Sequence, residues 1–179
     1  MDPLLWSDSQ TNQPEEESVA ITRMNHAVLY VRDVSVTKRF YADVLGFQPM
    51  IEDPAGRYLF MRAGGSSNHH DIAFFAIGSG AGPSAAGRAT VGLYHIAWEV
   101  PTLEELEQMR ERLSAAGALI GASDHGVNKS LYSRDPDGIE FEVMWLVPEE
   151  HWGTMAHEAI VEPLDIAADR RHFAQFGLV

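Results

Sequence analysis

The stretches His26-Ala-Val-Leu-Tyr-Val31 and His95-Ile-Ala-Trp-Glu-Val100 decide how this chain folds. Each opens on a histidine, reaches a valine five residues later and runs into a helix-like segment. Two-residue alternation over a strand from Thr22 to Val31 puts His26, Val28 and Tyr30 on one face, and Ala27, Leu29 and Val31 on the other. A strand from Leu93 to Val100 likewise puts His95, Ala97 and Glu99 on one face. One residue type at the same point of two similar units implies a duplicated module, with both imidazoles where a single metal ion can collect them.

Outward from these strands the two halves keep the same order. After Val31, Asp33 or Ser35 caps a helix in which Val36, Phe40, Tyr41, Val44 and Leu45 recur at helical spacing, and Gly46 supplies the left-handed stop. Strands are predicted over Phe47–Glu52, Arg57–Ala63 and Asp71–Ile77, separated by Asp53-Pro54-Ala55-Gly56 and Gly64-Gly65-Ser66-Ser67. A Gly/Ala/Ser/Pro-rich connector leads to the second copy. There Thr102 with Glu105 makes a capping box, and Leu103, Leu106, Met109 and Leu113 stripe a helix ending at Gly117. Strands over Leu119–Gly121, Ser130–Ser133 and Ile139–Leu146 follow, the last two joined by Asp135-Pro136-Asp137-Gly138. The expected fold is α+β: two tandem βαβββ modules, residues 21–78 and 92–147, forming a paired half-barrel around a metal cleft.

Residues 1–20 are polar and rich in Pro, Glu, Ser and Gln, the composition of a flexible arm. In the extension 148–179 the apolar residues are scattered and Pro163 interrupts any long helix, so it reads as a surface segment, a cover for the cleft mouth or a reach toward a partner. A length of 179 residues suits one ordinary domain. A net charge of -13 repels phosphate backbones and anionic lipid, which argues against nucleic acid and membrane surfaces as partners. No apolar run approaches the roughly 20 residues of a membrane span, and the N-terminus lacks the basic and apolar regions of a secretory signal, so a cytoplasmic location is expected. With no cysteine, any metal must be held by nitrogen and oxygen from eight histidines and the carboxylates.

The two βαβββ units, the histidine that opens each, the helix motif FYADVLGF (Phe40–Phe47) and the strand motif DPDGIEFEV (Asp135–Val143) together resemble the vicinal oxygen chelate superfamily. It includes glyoxalase I, extradiol ring-cleaving dioxygenases, methylmalonyl-CoA epimerase and bleomycin-resistance proteins. The resemblance covers about residues 21–147 and implies His26, His95 and Glu142 as metal ligands. A lone histidine beside apolar neighbours is commonly a hydrogen-bonded rim residue. Glu142 is harder to explain that way, because it stands in the apolar run FEVMWLV, where an unpaired carboxylate is costly to bury.

Glyoxalase-type sites take a fourth ligand from the last strand of the first module, and the matching position here is Ala73, which cannot ligate; Asp71 is the nearest acid. Two histidines and one carboxylate leave coordination positions free for two substrate oxygens and dioxygen, the arrangement of non-haem Fe(II) oxygenases. The stretch His69-His70-Asp71-Ile72-Ala73-Phe74 resembles one in extradiol dioxygenases, which implies His70 as a proton-handling residue. By the same resemblance Tyr132 bonds the bound diol, and His125 either lines the cleft or caps a turn. Phe75, Trp98 and Met144 are the expected apolar wall. The implied function is extradiol cleavage of a catechol-type aromatic diol by dioxygen with Fe(II), Mn, Zn or Ni being other possible metals, in a homodimer. A glyoxalase-like isomerase or lyase using Asp71, and a drug-sequestering protein without metal, remain open alternatives.

Overall fold

A computed structural model describes residues 19–84, 86 and 89–179. Apart from Val19 and Ala20, the arm expected over residues 1–20 lies outside them. In the first module, strand β1 (Ala27–Val31) is followed by helix α1 (Val34–Asp43) and strands β2 (Gln48–Glu52), β3 (Tyr58–Arg62) and β4 (Ile72–Ala76). The second repeats the order with β5 (Ile96–Val100), α2 (Leu103–Ala115), β6 (Leu119–Asp124), β7 (Asn128–Arg134) and β8 (Glu140–Leu146). Each module forms a four-stranded mixed sheet, ordered β1-β4-β3-β2 and β5-β8-β7-β6, and neither closes into a barrel. In each sheet the first strand runs parallel to the last and the other pairs are antiparallel.

Local chemistry places the helices. Asp33, rather than Ser35, caps α1: its Oδ1 accepts from the Ser35 N–H at 2.7 Å. Thr102 caps α2, accepting from the Glu105 N–H at 3.1 Å. Gly117, at φ 66°, ends α2 and lets the Ala118 N–H reach the Leu113 carbonyl at 2.9 Å. Leu103, Leu106 and Leu113 of α2 are fully buried over Leu131, Phe141, Val143 and Trp145. Val34 and Tyr41 of α1 cover Leu59, Met61, Ile72 and Phe74 in the same way. Phe40, Leu45 and Trp98 pack against both cores, with Phe40 5.9 Å from Phe141 and Phe47 5.0 Å from Trp98, ring centre to ring centre.

Three sequence expectations change. Both leading strands are shorter than predicted: β1 starts at Ala27 and β5 at Ile96, so His26 and His95 each stand just ahead of a strand. The cause at β1 is its one partner, since the Ala27 N–H bonds the Asp71 carbonyl at the edge of β4 and nothing upstream continues the ladder. Conversely β6 and β7 extend further, to Asp124 and from Asn128, leaving His125 in the connecting turn. The C-terminal extension is no loose surface segment. It contains α3 (Ile166–Ala174), whose Ile166 and Phe173 are buried in the second core, Phe173 edge-on to Trp145 at 5.0 Å.

The modules meet in opposed directions. Arg32, just past β1, bonds Asp137 in the turn before β8 (Nη1 to Oδ1, 2.6 Å), and Leu29–Arg32 line one groove with Asp137 and Ile139. The start of β5 lies beside the start of β8, because Ile96 is in register with Phe141. A second groove is shared by Ser66 and Asp71, next to the beginning of β1, and Glu99–Pro101, at the end of β5. The end of β1 therefore sits near the start of β5, and the start of β1 near the end of β5. No helix among the described residues is long and apolar enough to cross a membrane.

Candidate active site

On the open face of the second sheet, away from α2, the register sets Ala97 and Tyr132 on either side of Glu142, and Ser130 beside Met144. His95, two residues before Ala97, joins this face. Its Nε2 stands 3.0 Å from Glu142 Oε2. Glu142 is only 6% exposed; its other oxygen is 3.4 Å from Asn128 Nδ2, which bonds Ser130 Oγ at 2.7 Å. Tyr132 lies edge-on to His95 at 5.8 Å between ring centres, and its hydroxyl is 2.8 Å from His125 Nε2. Burial, then the charge of Glu142, raises the Tyr132 pKa, so the phenol keeps its proton at neutral pH.

The open face of the first sheet is different in kind. Val28, Ala73 and Phe60 are in register, as are Tyr30, Phe75 and Tyr58, and they make an aromatic and aliphatic wall. Tyr30 is 71% exposed, Val28 53% and Phe75 37%. His26 stands at the end of this wall, its ring 4.5 Å from that of His70, which lies edge-on to Phe60 at 5.0 Å. His26 Nδ1 is 2.8 Å from Asn25 Oδ1 and His70 Nδ1 is 3.0 Å from His69 Nδ1. Burial, then the neighbouring His26 and His69, lowers the His70 pKa.

The chain thus brings His95, Glu142, Tyr132 and His125 together on one face, and His26 and His70 on another. With β1 and β5 opposed, His26 and His95 stand at opposite ends of the module junction. Among the described residues no three His, Asp or Glu side chains stand where they could jointly hold a metal ion. The His95–Glu142 pair does fit one. Two donors bonded at right angles to one ion by roughly 2.1 Å each are about 3 Å apart, and a buried carboxylate needs a positive partner. His95 Nδ1 is buried without a hydrogen-bond partner among the described residues, so the polar contact the ring makes here is the one from Nε2 to Glu142.

Asp71, the acid considered as a fourth ligand, is already engaged. Its Oδ2 accepts from the Ala63 N–H at 2.8 Å and its Oδ1 from Ser66 Oγ at 2.7 Å and Asn68 Nδ2 at 2.8 Å. Burial alone would raise its pKa, but these bonds outweigh it and hold the carboxyl below the usual range. Trp98, expected in the cleft wall, instead faces the core beside Phe47, as its alternation with His95 requires; Phe75 and Met144 are on open faces. Asn128 and Ser130 were missed, although their two-residue alternation with Tyr132 along β7 is a readable polar stripe. The Ile160 carbonyl, 2.7 Å from His125 Nδ1, is a backbone group with no sequence signal.

Comparison with known proteins shows the family and the fold. The sequence model of the glyoxalase/bleomycin resistance protein/dioxygenase superfamily matches residues 23–143. The chain belongs to this superfamily. Biphenyl-2,3-diol 1,2-dioxygenase 3 of Rhodococcus globerulus is 36% identical over 132 residues, 72% of this chain and 67% of the relative. Catechol-2,3-dioxygenase of Bacillus subtilis is 30% identical over 131 residues, 73% of this chain but 44% of the relative, so the chain spans less than half of that enzyme. A superfamily domain structure from Frankia sp. EAN1pec aligns with a TM-score of 0.61 at 22% identity, covering 78% of this chain and all of the other, which shows a shared fold.

Proposed function

We propose that this chain is an extradiol dioxygenase that opens a catechol-type aromatic diol with dioxygen, using non-haem Fe(II). The observation that carries the reading is the buried Glu142 held 3.0 Å from His95, with the Tyr132–His125 pair beside it on the same sheet face. Relatives named for biphenyl-diol and catechol dioxygenation support the substrate class. His95 and Glu142 would hold the metal, and His26 of a second copy would complete the set, because one chain keeps its own His26 at the far end of the module junction. A homodimer follows, in which the exposed wall of Val28, Tyr30 and Phe75 covers the polar face of the other copy.

Bound iron would supply the electron transfer between diol and dioxygen. The chain's residues do the rest. Tyr132, edge-on to His95, would meet a diol oxygen held there, with His125 on the other side of its hydroxyl. His70, with its lowered pKa, is neutral at neutral pH and free to take up a proton. The aromatic wall binds the ring and excludes water. With both oxygens of Asp71 committed, a four-ligand isomerase site receives no support from this structure.

The test is oxygen uptake by anaerobically prepared, Fe(II)-loaded protein offered a panel of catechols and biphenyl diols. Uptake matched by a yellow ring-fission product is expected; absence of both across the panel would sink the proposal.

A further inference from the structure

The chain beyond β8 lies outside the superfamily match, yet it touches the site. Residues 160–162 cross the turn between β6 and β7. Asp124 and Glu162 exchange backbone hydrogen bonds, N–H to carbonyl, at 2.8 and 2.9 Å. Gly126, in the turn at φ 74°, lets the strap sit close: a Cβ there would stand 2.8 Å from Ile160 Cδ1. The far end of the segment is clamped as well. Buried Lys129 bridges Asp124 at 2.6 Å and Asp169 of α3 at 3.3 Å, so the hairpin and α3 hold the strap between them.

What the strap delivers is one carbonyl. Ile160 O lies 2.7 Å from His125 Nδ1. A carbonyl only accepts, so Nδ1 carries the proton, and a neutral imidazole then has a bare lone pair at Nε2. That lone pair, 2.8 Å from the Tyr132 hydroxyl, obliges the phenol to donate toward His125. The phenol oxygen is left with only lone pairs for the cleft. Without the strap, imidazole ordinarily favours the proton on Nε2, which would reverse the bond and turn the Tyr132 proton outward.

The structure assigns to the Ile160 carbonyl a positioning role: it fixes the tautomer of His125 so that Tyr132 meets its ligand as a hydrogen-bond acceptor. Resting on the dioxygenase reading, this means that Tyr132 accepts from a hydroxyl of the incoming diol, and a diol with that oxygen methylated loses the contact. The C-terminal extension is then part of the substrate-recognition apparatus.

The experiment is long-range ¹H–¹⁵N correlation on full-length ¹⁵N-histidine protein, comparing wild type, Glu162→Ala and Glu162→Pro. Alanine keeps both backbone bonds to Asp124; proline deletes the N–H that donates one of them. In wild type and Glu162→Ala the His125 shifts should report a proton on Nδ1, and Glu162→Pro should move them toward the Nε2 form. In oxygen-uptake assays Glu162→Pro should lose roughly tenfold in kcat/KM for the free diol, in the range of an outer hydrogen-bond partner, while Glu162→Ala stays at the wild-type value. A wild-type His125 protonated on Nε2 overturns the assignment, and that spectrum decides alone should the proline variant not fold. Unchanged His125 shifts in a folded Glu162→Pro overturn it too. A protein that shows the Nδ1 form but turns over no diol upholds the assignment and refutes the dioxygenase reading instead.

Discussion

The two open sheet faces come from modules of the same order and opposite character. The first presents Val28, Tyr30, Phe60 and Phe75; the second, at comparable positions, presents Ala97, Asn128, Ser130, Tyr132 and Glu142. Beneath them the helix-covered faces stay alike, each a packed layer of Leu, Ile, Val and Phe. Duplication has therefore kept the core, where any loss of volume costs stability, and let the open faces diverge. One copy exposes Val28, Tyr30 and Phe75, the other buries Glu142. Neither face, among the described residues, brings together three His, Asp or Glu side chains that could hold a metal ion.

The contrast breaks most sharply at Glu142. Glu142→Gln keeps the shape of the side chain and removes the charge that defines the second face. Oxygen uptake with the best diol should fall at least about 10³-fold, beyond the 10–100-fold typical of outer partners, and bound metal measured by elemental analysis should fall with it. Thermal stability of the metal-free protein should hold or rise, since a buried carboxylate with no bound cation is a cost to the fold. Activity within tenfold of wild type would mean that the second face is not the metal seat.

Whether the two faces belong to one site can be asked by mixing. His26→Ala and Glu142→Gln each carry one spoiled half, and neither alone should be active. In a shared site, co-refolded equal amounts give half heterodimers, each with one intact site, so about a quarter of wild-type activity returns. If all donors came from the same chain, mixing would restore nothing.

Much of this was legible beforehand, and the rest has identifiable reasons. Alternation along HAVLYV and HIAWEV assigned the faces of His26 and His95, and also fixed Trp98 opposite His95, although an aromatic wall had been expected from it. Caps at Asp33 and Thr102 and the stops at Gly46 and Gly117 were readable because each rests on a local backbone requirement. The opposed packing of β1 and β5 was not, since a repeat states what each unit is and leaves open which ends meet. Helix α3 escaped notice because it buries only Ile166 and Phe173, seven residues apart, too sparse a stripe to stand out. The role of Ile160 lies in its carbonyl, which every residue has.

The smallest effect compares two turns of like sequence, Asp53-Pro54-Ala55-Gly56 between β2 and β3 and Asp135-Pro136-Asp137-Gly138 between β7 and β8, which open on the same residue in opposite electrostatic states. Asp53 accepts from the Arg57 guanidinium, Nε to Oδ2 at 2.6 Å, and this holds its pKa at about 2. Asp135 has no such cation. Burial pushes it up to about 6, in spite of backbone bonds from Ile139 and Asp137, and its Oδ2 is buried without a partner among the described residues. A carboxyl with an ordinary pKa of 3.8 when unfolded and about 6 when folded binds its proton more tightly in the fold. Its contribution is therefore fully present below pH 4 and is lost as pH rises toward 6 and above. Asp53 works the other way, stabilising above pH 4 and losing that effect as pH falls toward 2. Asp135→Asn keeps an acceptor for the Asp137 and Ile139 N–H groups and cannot ionise. In urea unfolding at pH 4.0 to 7.0, the variant should gain on wild type as pH rises, by on the order of 2 kcal/mol across the window. A constant gap between the two proteins would mean that Asp135 titrates normally in the fold and that the two turns differ only in sequence.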